Sequence, residues 1–222
     1  MLRRLRLTPR RIAIVAAATL GFGTAAGFAA TLTIGSWHVW GGSQSLTKAT
    51  CPLSGSAVAN DTYVDQASPN TNFGTATTML VQPGTNSKQW SLVHFDLSSC
   101  SIPTTGGADT ATLKLHISTA PNQSRTLTVT PVVTTFTATT LTWTQAQTLT
   151  YGSTTTTFST GTTTGTISIP VTIDVDAMIK NPSAIYGWRI SDGGSTAFND
   201  TTAFNTLNAA ANNPQLVINY EK

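Results

Sequence analysis

From about Asp61 to Tyr220, apolar and polar residues alternate in short runs, the period of a strand with one face buried. Leu113, Leu115 and Ile117 interleave with Lys114, His116 and Ser118, and Leu127 and Val129 with Thr126, Thr128 and Thr130. Ile167, Ile169, Val171, Ile173 and Val175 form a longer alternating set, in which Pro170 predicts an edge position or a bulge. Further strands are predicted at 79–81, 91–97, 185–191 and 215–220. Turns are predicted at Pro83-Gly84, Pro103 to Gly107, Pro121-Asn122, Gly193-Gly194 and Asn213-Pro214. Only Asp174 to Lys180, acidic at its start and basic at its end, reads as a helical turn. The pattern predicts an all-β fold, a two-sheet antiparallel sandwich in one domain over residues 59–222.

Threonine dominates the middle of that domain: 21 of the 41 residues from Thr126 to Thr166. A β-branched side chain suits an extended backbone and offers water a neutral hydroxyl. Only 9% of the chain is charged, so hydroxyls take over the solvation of strand faces. O-linked sugar on Thr154 to Thr157 or Thr162 to Thr164, and contact with a wall or filament, are the other readings. Ice binding would need a fixed repeat, and none is present.

Charge changes the picture at the N-terminus. Arg3, Arg4, Arg6, Arg10 and Arg11 precede an uncharged, largely apolar run from Ile12 to Ile34. Setting them aside leaves seven basic residues against nine acidic ones, so the formal net charge of +3 does not point to nucleic acid. A basic head and an apolar middle read as an export signal over residues 1–29, with small residues favouring a cut after Ala29; the alternative is a retained membrane anchor. Residues 30–58 read as a tether. The expected location is extracellular or at the cell surface, with membrane contact only through an uncleaved N-terminal segment. In that oxidising setting the simplest account of Cys51 and Cys100 is one disulfide, the alternative being two unpaired thiols.

The order of segments adds a resemblance. Asp61-Thr62-Tyr63-Val64 is followed by Asn72-Phe73-Gly74, Leu80-Val81, Ser91 to Ser98 and Ala111 to Leu115. Then come Phe136 with Leu141-Thr142-Trp143, Val171 to Val175, Tyr186-Gly187-Trp188 and Pro214 to Tyr220. Over about 61–220 this resembles the DNRLRE-domain family, which overlaps a carbohydrate-binding module family known from alginate lyases. The resemblance implies a secreted jelly-roll-like β-sandwich that binds polysaccharide, usually as an accessory to another activity. His94 stands where many members carry Arg or Lys. Phe204-Asn205-Thr206-Leu207-Asn208 keeps a hydroxyl where the family often shows Ser-x-Glu, and loses the carboxylate.

No residue pattern nominates a catalytic centre, and an enzyme is not expected. Period two turns His94, Lys114, His116 and Arg189 away from the core. If their strands neighbour one another on one sheet they form a cationic platform for an acidic polysaccharide, the alternative being a scatter of unrelated solvated charges. Trp90, Trp143, Tyr151 and Tyr186 are candidates for stacking on a sugar ring; Trp90, beside a Gly/Asn/Ser-rich loop, is the best of them, whereas Trp143 and Trp188 read as core. Asp61 and Asp65, with Asn60 and Asn72, are an oxygen-rich set that calcium would use, or else simple turn chemistry. No other cofactor is expected. The reading is a secreted or cell-surface carbohydrate-binding module for a polysaccharide or cell-wall glycan. The alternative is a structural surface or matrix protein that self-associates or packs on the wall.

Overall fold

The computed structural model describes residues 47–194 and 200–222, and the expected leader lies outside the described residues. The strands are β1 (Lys48–Leu53), β2 (Val58–Asp65), β3 (Thr78–Val81), β4 (Gln89–Phe95), β5 (Thr110–Thr119) and β6 (Thr126–Val132), then β7 (Thr156–Ser159), β8 (Gly165–Pro170), β9 (Gly187–Asp192), β10 (Thr202–Asn205) and β11 (Gln215–Glu221). Two helices interrupt them, α1 (Trp143–Ala146) and α2 (Thr172–Lys180).

Every strand pair is antiparallel, and the strands form two sheets. Sheet I holds β1, β3, β5, β8, β10 and β11; sheet II runs β2-β4-β9-β6-β7. Ile117 on β5 pairs with both Gly165 of β8 and Phe204 of β10, so those two strands flank β5 on opposite edges. Leu113 likewise pairs with Ile169 of β8 and Leu216 of β11, which puts β10 and β11 end to end along one edge. From β1 through β6 the chain crosses sheets at every connection, the connectivity of a jelly-roll-like sandwich.

The core lies between the sheets because the alternation is real. On β5, Ala111, Leu113, Leu115 and Ile117 are buried and meet Val93, Phe95, Leu127, Val129, Trp188 and Ile190 from sheet II. The Trp188 indole N–H donates to Asp174 Oδ2 at 2.8 Å, and the Thr154 hydroxyl donates to Oδ1 of the same buried carboxylate. Trp188→Phe would leave that carboxylate short of its strongest donor, so a loss of about 2 kcal/mol is expected in chemical denaturation. An unchanged midpoint would mean the bond contributes nothing net.

The structure departs from the sequence pattern in several places, among them α1, a second helix where only Asp174 to Lys180 was expected. The alternating set 167–175 does not continue as a strand. β8 ends at Pro170, Val171 precedes the first turn of α2, and Ile173 is left 75% exposed on that helix. The expected tether also ends sooner. Lys48–Leu53 is an edge strand paired with β11, and Cys51 forms a disulfide with Cys100, so the sandwich begins near residue 48.

Candidate functional site

A second apolar cluster sits outside the sandwich, on the outer face of sheet II. Val64, Leu92 and Val132 point away from the main core and are buried by Phe136, Leu141, Trp143 and Ala146. The segment that buries them, residues 133–151, leaves β6, crosses the sheet towards β2 and returns to pair Tyr151 with Val132. Its α1 turn is fixed by a capping box: Thr142 Oγ1 accepts from the Gln145 backbone N–H, and the Gln145 side chain accepts from the Thr142 N–H. Asn72 Nδ2 donates to the carbonyls of Ala138 and Leu141 at 2.6 and 2.8 Å, and Asn60 Oδ1 accepts from the Ala138 N–H. Gly74 admits this flap, because a Cβ there would lie 2.2 Å from the Ala138 carbonyl oxygen.

Arg189 stands at the edge of the flap. It faces outward on β9, opposite Leu92 on β4 and Thr130 on β6. Its guanidinium lies in the corner of two rings that meet edge to face, 4.6 Å from the Trp90 centroid and 4.0 Å from that of Tyr151. Trp90 is itself backed by Trp143 at 4.3 Å. Arg189 is half-buried, and its Nε is sealed from solvent without a hydrogen-bond partner. Among the described residues its side chain meets no carboxylate in a salt bridge; the two ion pairs there are Arg125–Asp192 and Lys180–Asp176. Two aromatic faces hold the charge in place but cannot neutralise it. Burial pushes the Tyr151 phenol upward in pKa while the neighbouring Arg189 charge pulls it back, so the ring is neutral at ordinary pH.

Hydroxyls continue the same face away from the flap. Thr128 on β6 is paired with Ser191 on β9 and Thr157 on β7, and Thr126 is paired with Ser159. Thr126, Thr157 and Ser159 are exposed. Part of the threonine excess therefore forms an ordered field of hydroxyls beside a fixed cation.

The four cations expected on one platform are divided by the structure. Arg189 and His94 share the outer face of sheet II, whereas Lys114 and His116 face outward from β5 in sheet I, on the other side of the molecule. Lys114 stands opposite Ser168 and Gln215, and His116 Nδ1 lies 3.1 Å from Thr166 Oγ1. Trp90 and Arg189, proposed for separate routes of binding, are in contact. Tyr151 joins them. Tyr151 is among the stacking candidates, but the sequence does not foresee its place beside Arg189, because the flap that carries it folds back by long-range packing.

His94 belongs to a different feature. It stacks on Tyr186 at 3.9 Å, and its Nδ1 meets the Tyr186 carbonyl. The pair walls a groove of about 330 Å³ that also takes in Asp96, Ile102 and Ile179. Burial holds His94 below its ordinary pKa of 6.5, against the Tyr186 carbonyl and the Asp96 charge, which both raise it. The unfolded chain therefore takes up this proton first as pH falls. The His94 contribution to stability is full above about pH 6.5 and is lost as pH falls towards the lowered folded value. His94→Gln should flatten that acid limb in melting curves. An undiminished slope would assign the acid sensitivity to other groups.

Asp61 and Asp65 are not brought to a common point. They stand four residues apart on β2, about 13 Å by strand rise. Asp61 Oδ2 accepts from the Leu207 N–H at 2.5 Å, and burial raises its pKa against that bond. Asp65 accepts from the Ala67 N–H and from Gln89 Nε2. Asn60 and Asn72 hold the flap instead. Thr206, at the hydroxyl position of the altered Ser-x-Glu pattern, donates to the Ala76 carbonyl at 2.6 Å, which is a structural bond.

The profile of carbohydrate-binding module family 96 matches residues 52–220, which takes in β2 through β10 and all but the last residue of β11. The chain belongs to carbohydrate-binding module family 96. A search of curated proteins finds no match. In this family 96 module the outer face of sheet II brings together aromatic rings, ranked hydroxyls and a cation that, among the described residues, joins no salt bridge. Among the described residues, neither Lys114 nor His116 on the outer face of sheet I stacks on an aromatic ring.

Proposed function

We propose that this family 96 module binds an acidic polysaccharide outside the cell through the outer face of sheet II. Arg189 takes a carboxylate by charge-assisted hydrogen bonds, and Ser191, Thr128 and Thr157 meet the sugar hydroxyls. Trp90 and Tyr151 orient the guanidinium and offer ring edges to the sugar. The order of segments shared with the DNRLRE-domain family, and that family's overlap with alginate-lyase modules, supports a uronate polymer as the ligand.

The observation that carries this reading is the state of Arg189: half-buried, aligned by two rings, and unmatched by any carboxylate among the described residues. A desolvated cation is costly unless an anion meets it, and an anionic ligand supplies one. Among the described residues no helix is long and apolar enough to cross a bilayer.

Isothermal titration of the disulfide-bonded domain with polyuronate, beside a neutral glucan, tests the proposal. Binding to the uronate that weakens with salt is expected, because a surface ion pair is screened. Equal affinity for the neutral glucan would remove the charge from the account. Concentration-dependent assembly without any glycan in sedimentation would favour the structural-protein alternative.

A further inference from the structure

We infer that the Arg189 site reads the end of an anionic glycan chain rather than its interior. The inference rests on the proposed function and deepens it. The hydroxyl row runs across the strands, from Thr157 on β7 through Thr128 on β6 to Ser191 on β9. Next in sheet order is β4, which carries Trp90 on the same outer face as Leu92. From β7 to β4 the row covers three inter-strand intervals, about 14 Å, room for a short oligosaccharide.

At β4 the row stops. Trp90 rises from the sheet with Trp143 of the flap packed against it at 4.3 Å, and Val64 on β2 beyond it lies buried under the same flap. Tyr151 closes the side towards the flap, 4.0 Å from the guanidinium. The wall is firmly held: Asn72, Asn60, Pro69 and Tyr186 each hydrogen-bond the flap, at 2.6 to 3.1 Å. An open sheet face would let a polymer cross from edge to edge. Here a chain entering over β7 meets a wall at β4, and Arg189, set against two rings, stands beside that wall. Arg189 therefore takes the carboxylate of the terminal sugar ring, and the hydroxyl row takes the few rings behind it.

A chain-end reader counts chains, whereas a groove counts length. The test is competition against an immobilised polyuronate, using soluble polyuronate and its di- through octasaccharides as competitors for the wild-type domain. Potency is expected to follow the molar concentration of chains once the oligomer fills the row, so short fragments outcompete the polymer at equal mass. Oligomers reduced at the reducing end, compared with those made unsaturated at the other end, show which terminus is read; loss of binding in one set alone is the expected result. Potency that follows mass, or a stoichiometry on soluble polymer that rises with its length, would overturn the chain-end inference and leave the proposed function standing. Failure of every uronate to bind would overturn both.

Discussion

Arg189→Ala is expected to weaken binding of a uronate polymer about 30- to 100-fold, the effect of losing some 2–3 kcal/mol of charge-assisted hydrogen bonding. The substitution removes the one cation that two aromatic rings hold in place on the outer face of sheet II. The fold should tolerate it. Arg189 ends no ion pair among the described residues, and without it the Tyr151 hydroxyl keeps its bond to the Ala146 carbonyl. The melting temperature is accordingly expected to stay close to that of the wild type. Arg189→Lys should recover only part of the affinity, since a single ammonium cannot reproduce a planar fork set against two rings. The paired change Lys114→Ala with His116→Ala, on the far side of the sandwich, should leave affinity unaltered. Titration calorimetry on the three variants separates these outcomes, and full binding by Arg189→Ala would place the ligand elsewhere.

Removing the disulfide should produce the largest loss of stability. The Cys51–Cys100 bond joins positions 49 residues apart, and closing a loop of that size in the unfolded chain contributes about 4 kcal/mol in the chain-entropy account. For a domain of this length that corresponds to a fall in melting temperature on the order of 10 °C. There is a structural reason to expect most of it. β1 pairs with β11 alone, at the edge of sheet I, so the bond secures a strand with few other ties. The double change Cys51→Ser with Cys100→Ser avoids a stray thiol, and differential scanning calorimetry reads the shift. An unchanged melting temperature would mean that native-state strain or residual structure in the unfolded chain cancels the entropy. Binding by the double variant is expected to persist, because Arg189 lies on the other sheet.

Much of the fold was legible because a strand has a period of two. That period placed Leu113, Leu115 and Ile117 inside, turned Arg189 outward between Trp188 and Ile190, and marked Trp188 as core. Faces follow from such arithmetic, but neighbours do not. Nothing local says that β5 joins β11, β8 and β10 while β4 joins β2 and β9, so Lys114 and His116 were grouped with cations on the opposite side. β1 was missed for a related reason: its alternating set, Ala49, Cys51 and Leu53, is short, weakly apolar and interrupted by Pro52, and it becomes a strand through its distant partner β11. Ile173 misled the reading because a helix beginning at Thr172 changes the period from 2 to 3.6 within a few residues.

The flap was partly written in the chain. Thr142 and Gln145 stand at capping-box spacing, a helix-start signal inside a threonine-rich stretch that otherwise suggests strand. Phe136, Leu141, Trp143 and Ala146 fit no period-two strand, and such apolar residues outside a strand must cover something. What they cover became visible only with the structure, and with it the joining of Trp90, Tyr151 and Arg189.

The central claim is that acidic glycan meets the outer face of sheet II at Arg189. Backbone and side-chain NMR of the isotopically labelled domain, titrated with a short uronate oligomer, tests it most directly. The account requires the largest shift changes at the Arg189 guanidinium, the Trp90 indole, Tyr151 and the amides of Thr128 and Ser191. Changes gathered instead around Lys114 and His116, or in the His94–Tyr186 groove, with Arg189 and its two rings unmoved, would contradict it.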